Sequence, residues 1–225
     1  MSRPGDTRSL PPLPRRRELV VIVARAPRRG TVKRRLARTI GEGPALRLYR
    51  ALLVGLIRRL RGDPRLFPLL ALTPDRARLT LPFALPRLDQ GGGDLGARLH
   101  RLVRRFPRRR IHLVGADIPD LAPRHLHEAA RALRRGAEIV VGPALDGGFW
   151  LIGFAPRRRP PQPFREVPWS HPDTLRALLA RLAPYRVSLI SSLRDLDEAA
   201  DLAAWQTEAK ERHPGTPLTG RKPAS

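Results

Sequence analysis

The stretch that decides the fold is Val140–Ala155, VVGPALDGGFWLIGFA. Two apolar runs, Ile139–Val141 and Phe149–Phe154, flank the tripeptide Asp146-Gly147-Gly148. Each run has the length and β-branched or aromatic character of a buried strand. The gap is too short for a crossover helix, so the two strands must be antiparallel. An Asp-Gly pair between strands is a hairpin signal that needs no ligand. A carboxylate on two glycines at the ends of buried strands also suits the lip of a binding site.

Outward from this stretch, strand and helix patterns alternate. Glu18–Ala24 (ELVVIVA) is a continuous apolar run, as expected of a strand buried on both faces. A basic loop, RAPRRGTVKRRLA, leads from it into a short helix. Gly43-Pro44 opens a longer helix with Leu46, Tyr49, Leu53, Leu56, Ile57 and Leu60 on one face. Phe67–Leu72 reads as a strand, whereas residues 73–93, rich in Pro and Gly, give no clear element. Asp94 caps a helix with Leu95, Leu99, Leu102, Val103 and Phe106 on one side.

Ile111–Val114 is a strand, and Pro123 begins a helix that runs to Gly136. Ser170-His171-Pro172-Asp173 reads as a capping box ahead of Leu175, Leu178, Leu179 and Leu182. Val187–Ile190 is a last strand, and Asp197 to about Arg212 a last helix. The pattern predicts a three-layer α/β/α fold with a mixed, mostly parallel sheet. Residues 1–17 are expected to be a disordered basic arm, 18–212 a single domain and 213–225 a flexible tail.

Composition narrows the function. The 225 residues contain no cysteine, which removes disulfides, thiol nucleophiles and cysteine-held metals. No apolar leader is visible at the start, and no apolar run approaches the ~18 residues of a membrane span. A cytoplasmic location is expected. The net charge is +24, and of 44 basic residues only Lys33, Lys210 and Lys222 are lysine. The arginines are spread over every helix, and aromatics make up 5% of the chain. Nucleic acid is therefore not the expected partner; a positive field would still draw in small anions such as nucleotides.

Five loops carry chemistry. Ala24, Arg25, Gly30, Lys33 and Arg35 lie on the loop after the first strand, where backbone N–H groups and a lysine make a phosphate cradle, although a basic surface turn explains the same letters. Gln90, Gly91, Gly93 and Asp94 form a loop that lets backbone approach a ligand closely, although a flexible linker with a capping aspartate explains the same letters. Asp117 follows a strand, where a metal–phosphate site would sit, although an aspartate capping a turn or helix fits the same position. Asp146, Gly147 and Gly148 form the turn already described. Asp195 and Asp197 open the last helix, where aspartate also complements the helix dipole. Asp117 with Asp195 or Asp197 offers hard oxygen ligands for Mg²⁺ or Mn²⁺. Trp169 is either a core residue or a stacking surface.

These loops resemble, in order and spacing, the bacterial family DUF2064 of the glycosyltransferase-A (nucleotide-diphospho-sugar transferase) fold. The similar stretches are ARAPRRGTVKRRLA, QGGGDLGARL, GADIPDL, GPALDGGFWLIG, VPWSHPDT and DLDEAADL, across residues 19–203. The first and last also look like those of 2-phospholactate guanylyltransferase and the molybdopterin nucleotidyltransferases. Two positions depart from the family pattern. Lys33-Arg34-Arg35 stands for Lys-Thr-Arg, and Arg25 stands for a lysine.

The resemblance implies a metal-dependent transferase that takes a nucleotide or nucleotide-sugar and a small-molecule acceptor. In that role Lys33 and the Gly30 loop hold phosphates, and Gln90 lines the base or ribose pocket. Asp117 holds the ion with Asp195 or Asp197, and Asp146 with Gly147, Gly148 and Trp169 faces the acceptor. Glycosyl transfer is the first expectation, nucleotidyl transfer with pyrophosphate release the second, and a non-catalytic nucleotide- or RNA-binding module the third.

Overall fold

In the computed structural model, residues 10–157 and 159–212 are described. Seven strands form one sheet: β1 (Glu18–Arg25), β2 (Leu66–Thr73), β3 (Arg87–Asp89), β4 (Ile111–Gly115), β5 (Ile139–Pro143), β6 (Phe149–Phe154) and β7 (Val187–Leu189). Their order is β3-β2-β1-β4-β6-β5-β7. β6 lies antiparallel between β4 and β5, and the remaining pairs are parallel. The antiparallel pairing expected of the Asp-Gly-Gly connection is present. It also brings the tip of that connection to the carboxyl ends of the parallel strands, where open α/β sheets bind ligands.

The helices are α1 (Arg34–Ile40), α2 (Glu42–Arg61), α3 (Leu95–Arg104), α4 (Pro123–Arg134), α5 (Thr174–Leu182) and α6 (Ala199–Arg212). Strand side chains alternate between two cores. Val20, Ile22, Leu70, Val114 and Val140 pack with Leu53, Leu56 and Ile57 of α2 and with Leu126 and Ala129 of α4. Leu19, Val21, Leu69, Leu113 and Val141 pack with Leu99, Leu102 and Val103 of α3 and with Leu178 and Leu182 of α5. Each large apolar side chain so buried contributes about 1.5–3 kcal/mol. The continuous apolar reading of β1 is explained, since both its faces are covered.

At the amino end of the sheet Glu18 is buried. Its carboxylate accepts from Arg134 at 2.9 Å, from Arg110 at 3.1 Å and lies 3.4 Å from His112 Nε2. Burial alone would raise the Glu18 pKa, but the hydrogen bonds and charges of His112 and Arg110 bring it down to about 2. This cluster ties β1, β4 and α4 together far from the carboxyl ends.

Three local readings differ. β3 lies inside the stretch that gave no clear element. It is three residues long, and its register with Leu70–Leu72 is its only regular feature. The capping box at Ser170 does not form. α5 starts at Thr174, and the Asp173 side chain makes no capping bond. Thr174 instead donates its hydroxyl towards the Pro168 and His171 carbonyls, which folds residues 168–174 into a compact turn. Residues 10–17 are held against the domain. Leu10 and Leu13 pack on the second core, and Arg109 donates to the carbonyls of Pro14 at 2.7 Å and Arg17 at 2.8 Å. The rest of the expected arm, 1–9, and the expected tail, 213–225, lie outside the described residues. Among the described residues no helix is long and apolar enough to cross a membrane.

Candidate functional site

A cleft of about 940 Å³ runs across the carboxyl ends of the strands. Ala24, Arg25, Lys33, Arg35, Gln90, Asp94, Asp117, Asp146, Gly148, Trp169, Asp195 and Asp197 all line it. The five chemical loops thus meet in one place, with Trp169 on a sixth segment. Gly30, Gly91, Gly93 and Gly147 do not line it. Gly30 faces a smaller hollow of about 330 Å³ behind the same loop, with Arg28, Arg29, Arg34 and Arg38.

Lys33 stands at the centre. Its Nζ donates to Asp117 Oδ2 at 2.8 Å and to Asp197 Oδ1 at 2.6 Å, and its side chain is 3% exposed. Burial would lower its pKa, but the two carboxylates overcome this and hold it well above the usual lysine value. Lys33 has left-handed backbone angles (φ 49°, ψ 45°) immediately before α1, which turns its side chain out of the helix line. The lysine expected to hold phosphates and two expected metal ligands therefore form one ion-paired cluster.

Asp195 lies beside them. Burial first, then the charges of Asp146, Asp197 and Asp117, push its pKa up to about 7. Four carboxylates crowd one region, and a single ammonium does not cancel their repulsion. Asp146 is exposed, and its Oδ1 accepts from Gly148 N–H at 2.9 Å. Its second oxygen is left for a ligand.

At the other end Gln90 is fixed rather than flexible. Its side-chain amide donates to the carbonyls of Ala24 at 3.1 Å and Ala71 at 2.7 Å. Two carbonyl acceptors demand the NH₂ group there, so the orientation follows from the chemistry. Asp75 accepts from the backbone N–H groups of Gln90 at 2.7 Å and Gly91 at 3.0 Å. Asp94 accepts from Ala97 N–H at 2.7 Å and so caps α3 as read from the sequence. The positive φ of Gly91 and Gly93 shapes this loop; neither glycine opens onto the cleft.

Sequence reasoning missed several lining residues. Tyr49 looked like part of an apolar helix face, yet its hydroxyl bonds both the N–H and the carbonyl of Arg25, each at 3.0 Å. Arg98 reaches Thr73 and the Gly93 carbonyl. His171 was read only as part of a cap, but it lines the cleft and its Nδ1 accepts from Asp173 N–H at 3.1 Å. Trp169 makes edge contacts with Phe149 at 6.2 Å between ring centroids, and its indole lies over Gly96. It is a wall of the cleft that is also packed into the core.

The donor set is all oxygen, which suits Mg²⁺ or Mn²⁺. Among the described residues no three acidic or histidine side chains are arranged to hold an ion unaided. Such ions commonly take one or two carboxylates and complete their shell with water and substrate phosphates. The crowding around Asp195 is the observation that fits an added cation.

The family described as "Uncharacterized protein conserved in bacteria (DUF2064)" matches residues 56–171, just over half of the chain, and the chain belongs to it. No curated protein matches the chain. A crystal structure from Desulfovibrio desulfuricans, of a protein provisionally named a nucleotide-diphospho-sugar transferase, is 25% identical with a TM-score of 0.80. The match covers 87% of this chain and 89% of that one. CMP:2-keto-3-deoxy-manno-octonic acid synthetase complexed with CTP is 13% identical, with a TM-score of 0.53 over 87% of this chain and 99% of its own. A cytidylyltransferase from Leptospira borgpetersenii is 12% identical, with a TM-score of 0.51 over 91% and 99%. The last two share the fold alone. The architecture is that of the nucleotide-diphospho-sugar transferases and nucleotidyltransferases.

Proposed function

We propose that this DUF2064 chain is a nucleotide-dependent transferase, and specifically a glycosyltransferase that moves a sugar from a nucleotide-sugar to a small-molecule acceptor. The observation that carries this reading is Lys33 joined to Asp117 and Asp197 in the middle of the cleft, between the Gln90 end and the Asp146 end. The provisional name of the relative from Desulfovibrio desulfuricans supports it.

In this reading the nucleoside lies at the Gln90 end. Gln90 is buried and braced by Ala24 and Ala71, so it holds the wall of the cleft at that end. The phosphates lie over the loop before α1, where Lys33, Arg34 and Arg35 supply positive charge. Asp117 and Asp197, with Asp195, would hold the divalent ion. When bound, that ion neutralises charge building up on the leaving diphosphate. The acceptor enters between Asp146 and the Trp169–Thr174 turn. The free oxygen of Asp146 takes a proton from the attacking hydroxyl.

Nucleotidyl transfer is the second reading, supported by the cytidylyltransferases that share the fold. The products separate the two. The purified chain is incubated with nucleotide-sugars or NTPs, Mn²⁺ and pooled small-molecule acceptors. Release of a nucleoside diphosphate from a nucleotide-sugar supports glycosyl transfer. Release of pyrophosphate from an NTP replaces it with the second reading, and neither product removes both.

A further inference from the structure

We infer that Lys33 is the resident cation of the nucleotide-free site: it fills the place between Asp117 and Asp197, and a divalent ion gains these carboxylates only when phosphates draw the ammonium away. The inference rests on the proposed function in its second half only. Its first half concerns the Lys33 cluster itself.

The geometry is direct. One ammonium sits 2.8 Å from Asp117 and 2.6 Å from Asp197, so both carboxylates are already spent on the same cation. The lysine side chain is 3% exposed, while Asp117 and Asp197 are 33% and 45% exposed. Solvent and ions reach the carboxylates from outside, but the space between them is closed. The ammonium keeps a second cation out of the space it occupies between the two carboxylates, while Asp195 and Asp146 keep the surroundings negative. Mg²⁺ gives up its water reluctantly, so it does not displace an ammonium for one or two monodentate carboxylates.

The composition points the same way. Of 44 basic residues, three are lysine, and one of those stands here. Arginine would fork across the two carboxylates and hold them permanently. An ammonium has three rotatable donors on a flexible stem, and two of them are used. The third can take a phosphate oxygen first, and the side chain can then follow the phosphate. Nucleotide and metal would therefore each tighten the other's binding, since the coupling is reciprocal.

The test is a titration with Mn²⁺ alone, read by the electron spin resonance signal of the free ion. Wild type is compared with Lys33→Met and with Lys33→Met/Asp117→Asn. The expected result is that Lys33→Met binds Mn²⁺ at least tenfold more tightly than wild type, and that the added Asp117→Asn change abolishes the gain. Equal Mn²⁺ affinity in wild type and Lys33→Met overturns the inference, as does absence of binding in both. Lys33→Gln repeats the comparison should the methionine variant not fold. Nucleotide binding is measured separately on wild type. Nucleotide binding without an Mn²⁺ gain in Lys33→Met removes this inference and leaves the transferase reading. An Mn²⁺ gain with no nucleotide binding keeps Lys33 as the resident cation and overturns the second half together with the transferase reading.

Discussion

Gly147 lies directly against Pro172: a Cβ on Gly147 would stand 2.1 Å from the Pro172 carbonyl oxygen. The same glycine has φ +87°, and its carbonyl accepts from Leu175 N–H at 2.9 Å. The turn between β5 and β6 is thus clasped to the segment that opens α5. Gly147→Ala is expected to lose about 2–4 kcal/mol from left-handed strain and forced separation. Denaturant unfolding measures it. The variant should keep nucleotide affinity and raise the acceptor KM, because the displaced segment carries Trp169 and His171.

Asp146 is exposed and holds the turn through Gly148, so Asp146→Asn can keep that bond and the fold. Nucleotide binding should stay within about twofold of wild type. Turnover should fall about 10²–10⁴-fold, the usual worth of a general base. Steady-state kinetics with matched binding measurements separate the two effects.

Asp117→Asn removes one of the two carboxylates on Lys33. It should abolish the metal-dependent part of nucleotide binding, seen as the loss of any difference between Mn²⁺ and chelator in calorimetry. A stability loss of about 1–3 kcal/mol should accompany it, from the weakened bond to a buried ammonium.

Glu18 gives a pH dependence unconnected with the cleft. Its folded pKa of about 2 lies below the ordinary value of 4.5. A carboxylate depressed on folding stabilises fully above the unfolded pKa, and that stability drains away as pH falls from about 4.5 towards 2. The difference is worth about 3 kcal/mol. Glu18→Gln should lose that amount at pH 7 and flatten the stability curve between pH 4.5 and 2. Chemical unfolding at several pH values checks both.

Much of this architecture is written locally. The unbroken apolar run of β1 announces two covered faces, Asp94 announces α3, and the gap between Val141 and Phe149 forces the antiparallel β6. What is not local was not legible. β3 is three residues held by register with β2. Tyr49 reads as core at helical spacing until its hydroxyl meets the Arg25 backbone. Glycines read as ligand-facing shape their own loops: Gly91 donates its N–H to Asp75, and Gly147 lies against Pro172. The five chemical loops could be found one by one, but their meeting around Lys33 depends on strand order.

The most direct measurement is thermal unfolding with and without Mn²⁺ against NTPs, nucleoside diphosphates and nucleotide-sugars. A ligand bound only by the folded state adds about 2.7 kcal/mol at a hundredfold excess over its Kd. A metal-dependent rise with one nucleotide-sugar, larger than with the matching NTP and lost in Asp117→Asn, is the predicted result. No rise with any nucleotide, with or without the metal, would contradict the account.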